Sequence, residues 1–108
     1  MARPARFQNL GSAVLADRAP SRVNHIFIGN LTGATAYVQC FNTGATANVT
    51  LGTTVPDAEF AVPTIQFVPI PFPESGLIFG NGLVIAATTT SGGSTAAGSG
   101  VLVTLAVD

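Results

Sequence analysis

Apolar and polar residues alternate with a period of two over several short stretches, the period of strands that bury one face. The clearest stretch is Val101–Val107, with Val101, Val103, Leu105 and Val107 on one side and Leu102, Thr104 and Ala106 on the other. Residues 37–41 set Val38 and Cys40 against Tyr37, Gln39 and Phe41, and residues 64–68 set Ile65 and Phe67 against Thr64 and Gln66. Residues 25–28 and 83–88 are rich in β-branched side chains, 48–51 is a weaker strand candidate, and 12–18 has room for one turn of helix. Turn chemistry punctuates these runs at Gly29-Asn30, Thr32-Gly33, Asn42-Thr43-Gly44, Gly52, Pro56-Asp57 and Gly80-Asn81-Gly82. The Asn81-Gly82 pair predicts a hairpin joining 77–79 to 83–85, because both residues tolerate positive φ. Six to eight short strands with regular turns predict an all-β chain: a single small β-sandwich or jelly-roll-like barrel.

Charge divides the chain. All four Arg (Arg3, Arg6, Arg18, Arg22) fall in the first 22 residues, where Asp17 is the only acid, for a net charge of +3. From Val23 onward the acids are Asp57, Glu59, Glu74 and Asp108, and the only basic side chain is His25. The first segment shows no sustained period, which predicts an extended basic arm over 1–22 ahead of a β-sandwich body over 23–108. In the arm, Arg3, Arg6, Phe7, Arg18 and Arg22 are the candidate contacts to an acidic protein neighbour; the alternative is a solvated terminus.

Only 8% of the 108 residues are charged, against roughly 25% in ordinary soluble domains. In a sandwich this means that outward positions carry Thr, Asn, Gln and Ala. Such a surface is poorly defended against association, so much of it is expected to face other protein. Pro69, Pro71 and Pro73 alternate in Val68-Pro-Ile-Pro-Phe-Pro73. Extended, they remove every N–H from one side, which predicts an edge strand at an interface; a polyproline-like surface loop is the alternative. The Ser- and Gly-rich residues 91–100 read as a mobile tip between the last two strands.

Little chemistry is on offer. His25 is the only imidazole and Cys40 the only thiol, so a zinc site of about four His or Cys ligands cannot form within one chain. His25 reads as structural and Cys40 as a small buried hydrophobe. Asp57 and Glu59 share one side if extended, as a cation or acid–base pair would require, but read more simply as a solvated loop. Asn30-Leu-Thr32 and Asn48-Val-Thr50 match the glycosylation pattern by chance in a Thr-rich chain. With a net charge of −1, the chain is not expected to bind nucleic acid. The most apolar stretch, 77–87, is broken by Gly80-Asn81-Gly82 and falls short of the ~20 residues of a membrane helix. The early Arg are not followed by a secretory apolar run. The expectation is a non-enzymatic protein without cofactor, metal or small-molecule substrate.

Several stretches together carry a resemblance: Ala36-Tyr-Val-Gln-Cys-Phe-Asn42, Leu51-Gly-Thr-Thr-Val-Pro56, Phe72-Pro-Glu-Ser-Gly-Leu-Ile-Phe79 and Gly82-Leu-Val-Ile-Ala-Ala-Thr88. The order strand, G-T-x-x-P, extended strand, F-P-x-x-G-L-x-F-x-x-G-L-x-x-A, closing apolar strand resembles small tailed-bacteriophage virion accessory proteins over residues 24–107. The chain departs from them in its Pro-rich 68–73 segment and its basic arm. The resemblance implies a β-sandwich capsid decoration or cement subunit in the virion, made in the host cytoplasm. Its expected partners are itself, as a homotrimer, and the major capsid protein. The alternatives are a neck, tail or fibre-base subunit, or a small surface- or carbohydrate-binding β-module; the absence of Trp and the single Tyr37 weigh against a sugar platform.

Overall fold

A computed structural model describes residues 3–8, 13–17, 21–72, 76–97 and 100–107. Nine strands run through them: β1 (Arg3–Gln8), β2 (Val14–Asp17), β3 (Ser21–Asn30), β4 (Ala36–Phe41), β5 (Ala58–Val62), β6 (Gln66–Pro71), β7 (Leu77–Phe79), β8 (Leu83–Thr88) and β9 (Val101–Val107). One antiparallel sheet has the order β1-β9-β3-β6, with β7 also paired to β3, and the other the order β2-β8-β4-β5. Leaving out short β7, these two four-stranded orders are the interleaved Greek keys of a jelly roll.

The inner faces of the two sheets meet in one core. Alternate residues supply it: Val23, Ile26 and Ile28 from β3, Val38 and Cys40 from β4, Leu83, Ile85 and Ala87 from β8, and the odd positions of β9. Each fully buried Val, Leu or Ile contributes roughly 1.5–3 kcal/mol. The outer face of the β2-β8-β4-β5 sheet is covered too. Phe41, Val84 and Ala86 form a second cluster there, with Ala13, Leu15, Val49 and Leu51 packed against it. Every residue of β8 is therefore buried.

Several expectations from the sequence are corrected. Within the first 22 residues, the described strands β1 and β2 are extended but do not stand ahead of the body. β1 pairs with β9 from Arg3↔Val107 to Gln8↔Leu102, and β2 pairs with β8. The turn of helix expected within 12–18 is instead β2: Val14 and Ala16 pack on the main core and Leu15 on the outer cluster, so a period of two buries both faces. Gly80-Asn81-Gly82 does turn the chain, with Gly82 at φ 117° and its N–H on the Phe79 carbonyl at 3.3 Å. It makes no hairpin, however, because β7 pairs with β3 and β8 belongs to the other sheet. Residues 64 and 65 form a turn and β6 starts at Gln66, while 48–51 runs from the end of a 3₁₀ turn at Asn48 to the start of a turn at Leu51. The expected mobile tip folds back over 91–97: Thr88 bridges Ala96, and the Ala97 N–H reaches the Ala87 carbonyl at 3.0 Å.

Among the described residues three polar side chains are wholly buried, Asn30, Gln39 and Thr88. Asn30 ties the end of β3 to the opposite sheet. Its Nδ2 donates to the carbonyls of Ala34 (2.9 Å), Val62 (2.9 Å) and Pro63 (3.2 Å), and its Oδ1 accepts from the Thr32 N–H (2.9 Å) and Oγ1 (2.6 Å). Gln39 Nε2 donates to Thr88 Oγ1 at 2.7 Å and to the Gly93 carbonyl at 3.2 Å, holding the 91–97 segment down.

Candidate protein-interaction surface

The outer face of the β1-β9-β3-β6 sheet is built differently from its counterpart. In β3 the odd positions His25, Phe27 and Gly29 alternate with core residues and point outward. Their β6 partners are Pro71, Pro69 and Phe67, and their β9 partners are Ala106, Thr104 and Leu102. Phe27 and Phe67 remain 39% and 51% exposed, with ring centroids 6.1 Å apart. The Phe67 ring lies across the backbone at Gly29, where a Cβ would sit 2.6 Å from its Cε2.

Just past the last pair, Asn30↔Gln66, Leu31 follows β3 and Ile65 precedes β6, and they are 52% and 66% exposed. Four of the large exposed apolar residues thus lie on the β3–β6 pair or directly at its end. No Asp, Glu, Lys or Arg occurs within residues 25–36 or 60–72, which form it. Isolated apolar residues are common on protein surfaces, whereas a contiguous uncharged strip marks a place where other molecules bind. Covering the exposed part of each Phe gains on the order of 2 kcal/mol at ~25 cal/mol per Å².

β6 is an edge strand, as the proline spacing predicts. The Phe72 N–H donates to the Asn24 carbonyl at 3.3 Å, which fixes the parity of the ladder. Ile70 and Val68 then turn their N–H groups toward β3, while Pro69 and Pro71 occupy the positions that face away. The open side of β6 has thereby lost two of the donors that an added strand would need. Pro73 lies outside the described residues.

Arg3, Arg6 and Phe7 lie on β1, at the opposite edge of this sheet from the prolines, with β9 and β3 between. Arg22 is exposed near the start of β3, in register with Ile78 of β7, and makes contacts of its own. Arg18 lies outside the described residues. The four described arm residues therefore lie on two different strands of one sheet, β1 and β3. Phe27, Leu31, Ile65 and Phe67 escape sequence reasoning because only the pairing of β3 with β6 lines them up. The local signal, an outward Phe two residues before a Gly, is weak.

The remaining candidates serve the fold. Asp57 Oδ2 accepts the Asn42 N–H at 2.6 Å, and Glu59 accepts from Ser91 Oγ and from the Gly92 N–H at 2.7 Å, so each carboxylate clasps a different loop. Among the described residues no group of three or more His, Cys, Asp or Glu could hold a metal ion. The Asn30 amide is buried and fully engaged, so Asn30-Leu-Thr32 is no accessible acceptor for a glycan.

Cys40 is buried, and desolvation, reinforced by the Asp57 charge, pushes its thiol up from 9.0 to about 12. A raised folded-state pKa gives a stability contribution that is complete below pH 9 and declines above it, by about 1.4 kcal/mol per pH unit until the folded thiol ionises. Denaturant melts from pH 8 to 11 are expected to lose stability more steeply in the wild type than in Cys40→Val. A thiol reagent is expected to label Cys40 only as the protein unfolds; rapid labelling in native buffer contradicts the assignment.

No family model matches the chain, and no characterised protein matches it by sequence.

Proposed function

We propose that this protein is a non-enzymatic structural subunit that works by packing the open face of its β1-β9-β3-β6 sheet against other protein. The uncharged strip of Phe27, Leu31, Ile65 and Phe67 carries this reading. One sheet of the jelly roll is sealed by its own loops while the other leaves Phe27 and Phe67 to solvent, with Leu31 and Ile65 exposed at the end of the same strand pair. An edge depleted of donors by Pro69 and Pro71 directs association to the face rather than to strand addition.

Within this reading the sequence resemblance selects a setting: a capsid decoration or cement subunit of a tailed-phage virion, associating with its own copies and with the major capsid protein. Repetition over a shell suits a modest patch, since many weak contacts of linked subunits add up. The test uses sedimentation with empty shells of the encoding phage's major capsid protein. The wild type is expected to pellet with the shells, and Phe27→Ser/Phe67→Ser to stay in the supernatant while melting cooperatively. A wild type that never pellets overturns the shell assignment. A double variant that pellets as well as the wild type overturns the role of the face.

A further inference from the structure

Bonds at the ends of the ladders fix which way each edge strand turns its backbone. The Ala97 N–H donates to the Ala87 carbonyl and the Thr89 N–H to the Thr95 carbonyl, both at 3.0 Å. Ala96 occupies one flank of Thr88 and Tyr37 of β4 the other, so Ala87 and Thr89 turn their polar groups away from β4. Val84, Ala86 and Thr88 therefore bond to Phe41, Gln39 and Tyr37, which leaves Ala36, Val38 and Cys40 to bond β5. The Asp57 N–H on the Cys40 carbonyl, at 2.9 Å, agrees with this parity. Ala58, Phe60 and Val62 thus face β4. The backbone N–H and C=O groups of Glu59 and Ala61 face the open side of β5, the outermost strand of its sheet.

The other edges are blunted. The Leu31 N–H on the Gly100 carbonyl, at 2.8 Å, sets β9 so that Val103, Leu105 and Val107 bond to β1, which puts Pro4 at an outward position of that strand. Pro69 and Pro71 do the same for β6, β2 carries a bulge between Leu15 and Asp17, and β7 has only three residues. Within Ala58–Val62 there is neither a proline nor a shift of register.

We propose that β5 takes up an extended strand of a different protein, antiparallel to it and carrying Arg or Lys opposite Glu59. This goes beyond the open face of the other sheet and does not depend on it. Charge names the occupant. Asp57 and Glu59 lie at this edge, and residues 23–107 contain no Arg or Lys. The partners these carboxylates do have, the Asn42 N–H, the Ser91 hydroxyl and the Gly92 N–H, are neutral. Pairing β5 with β5 of a second copy would gather the Asp57 and Glu59 of both copies along one seam, so like charge opposes self-addition. The chain's own Arg-bearing edge strand, β1, is already paired with β9. A basic strand from elsewhere sets its cation directly across from Glu59, an opposite-charge cross-strand pair. Its residue opposite Phe60 points to the inner face, where Phe60 packs on the core with its ring 6.1 Å from that of Phe72. An apolar side chain there extends the core. The strand that fits alternates basic and apolar residues and is held through the backbone of Glu59 and Ala61.

The probe is a short capped peptide in which Arg and Val alternate, with a Glu–Val peptide as its control, titrated into the full chain by calorimetry and followed by amide hydrogen exchange. In the free protein the Glu59 and Ala61 amides are expected to exchange fast and those of Phe60 and Val62 slowly. The Arg–Val peptide is expected to slow the first pair and to bind about ten-fold more tightly than the Glu–Val peptide. Ala61→Pro removes only an outward N–H, so it is expected to melt like the wild type and to bind the Arg–Val peptide about ten-fold more weakly. The same peptide N-methylated at its Arg residues, which face β5, is expected to lose binding to the unaltered protein; this arm holds even if Ala61→Pro fails to fold. Glu59 and Ala61 amides that are protected in the free protein overturn the open edge. An Arg–Val peptide that does not bind, or binds no better than Glu–Val, overturns the basic strand as occupant. An N-methylated peptide that binds as well as its parent shows charge attraction without strand addition and overturns the pairing.

Discussion

A chain lacking residues 1–20 is expected to lose its cooperative melt and to be recovered largely as aggregate. The deletion leaves β3 whole and removes β1 and β2, one outermost strand from each sheet. On one side it strips the pairing that runs from Arg3↔Val107 to Gln8↔Leu102, so β9 becomes an open edge. On the other it uncovers β8, a strand buried along its whole length and the worst to leave unpaired. Val14 and Ala16 leave the main core, and Leu15 leaves the outer cluster. At roughly 1.5–3 kcal/mol for each large apolar side chain, with two unpaired ladders added, the loss is comparable to the whole ~5–15 kcal/mol stability of a small domain. Circular dichroism melts and gel filtration read the outcome. Deleting residues 1–8 alone, which spares β2 and β8, is expected to give a weakened but folded protein. A chain without residues 1–20 that melts like the intact protein would restore the segment to an arm.

That deletion also shows where the sequence was legible. β4 and β9 could be read directly, because their polar and apolar residues alternate, in Val101–Val107 without a break, and β8 from its β-branched run, since both its faces are buried. The edge character of β6 followed from stereochemistry alone, since Pro69 and Pro71 permit only the outward positions. What failed was pairing across distance. Val14-Leu15-Ala16 shows no alternation because both of its faces are buried, one under each cluster. β5 was hidden by Asp57, Glu59 and the flanking Pro56 and Pro63, although Ala58, Phe60 and Val62 all turn toward the core. Asn81-Gly82 gave the turn but not the partners, because in a jelly roll a tight turn can carry the chain from one sheet to the other. The candidate surface was the least legible part. Phe27 is ordinary until the pairing of β3 with β6 brings its ring within 6.1 Å of Phe67.

The second large effect is expected at Asn30, where one side chain stands in for a stretch of backbone pairing. Its Nδ2 group faces three carbonyl oxygens, those of Ala34, Val62 and Pro63, and its Oδ1 faces the two donors of Thr32. Asn30→Ala removes all of these and leaves the Val62 carbonyl, held within the protein, without this partner. Unsatisfied buried groups cost about 1–3 kcal/mol each, so a loss of about 2–4 kcal/mol is expected. Asn30→Asp keeps the shape and the Thr32 donors but is expected to be worse, by about 3–5 kcal/mol at neutral pH, because its second carboxylate oxygen would bring a buried charge against three carbonyl oxygens. The two variants separate by pH. A carboxyl that must be neutral in the folded state has its folded pKa raised, so the stability of Asn30→Asp is highest below the unfolded value of ~3.9 and falls as pH rises above it. Melts from pH 3.5 to 7 are therefore expected to diverge, with Asn30→Asp closing on Asn30→Ala toward acid and dropping below it toward neutrality. Parallel curves would mean that the Asn30 side chain meets water in the variant and that the clasp is not the closed one described.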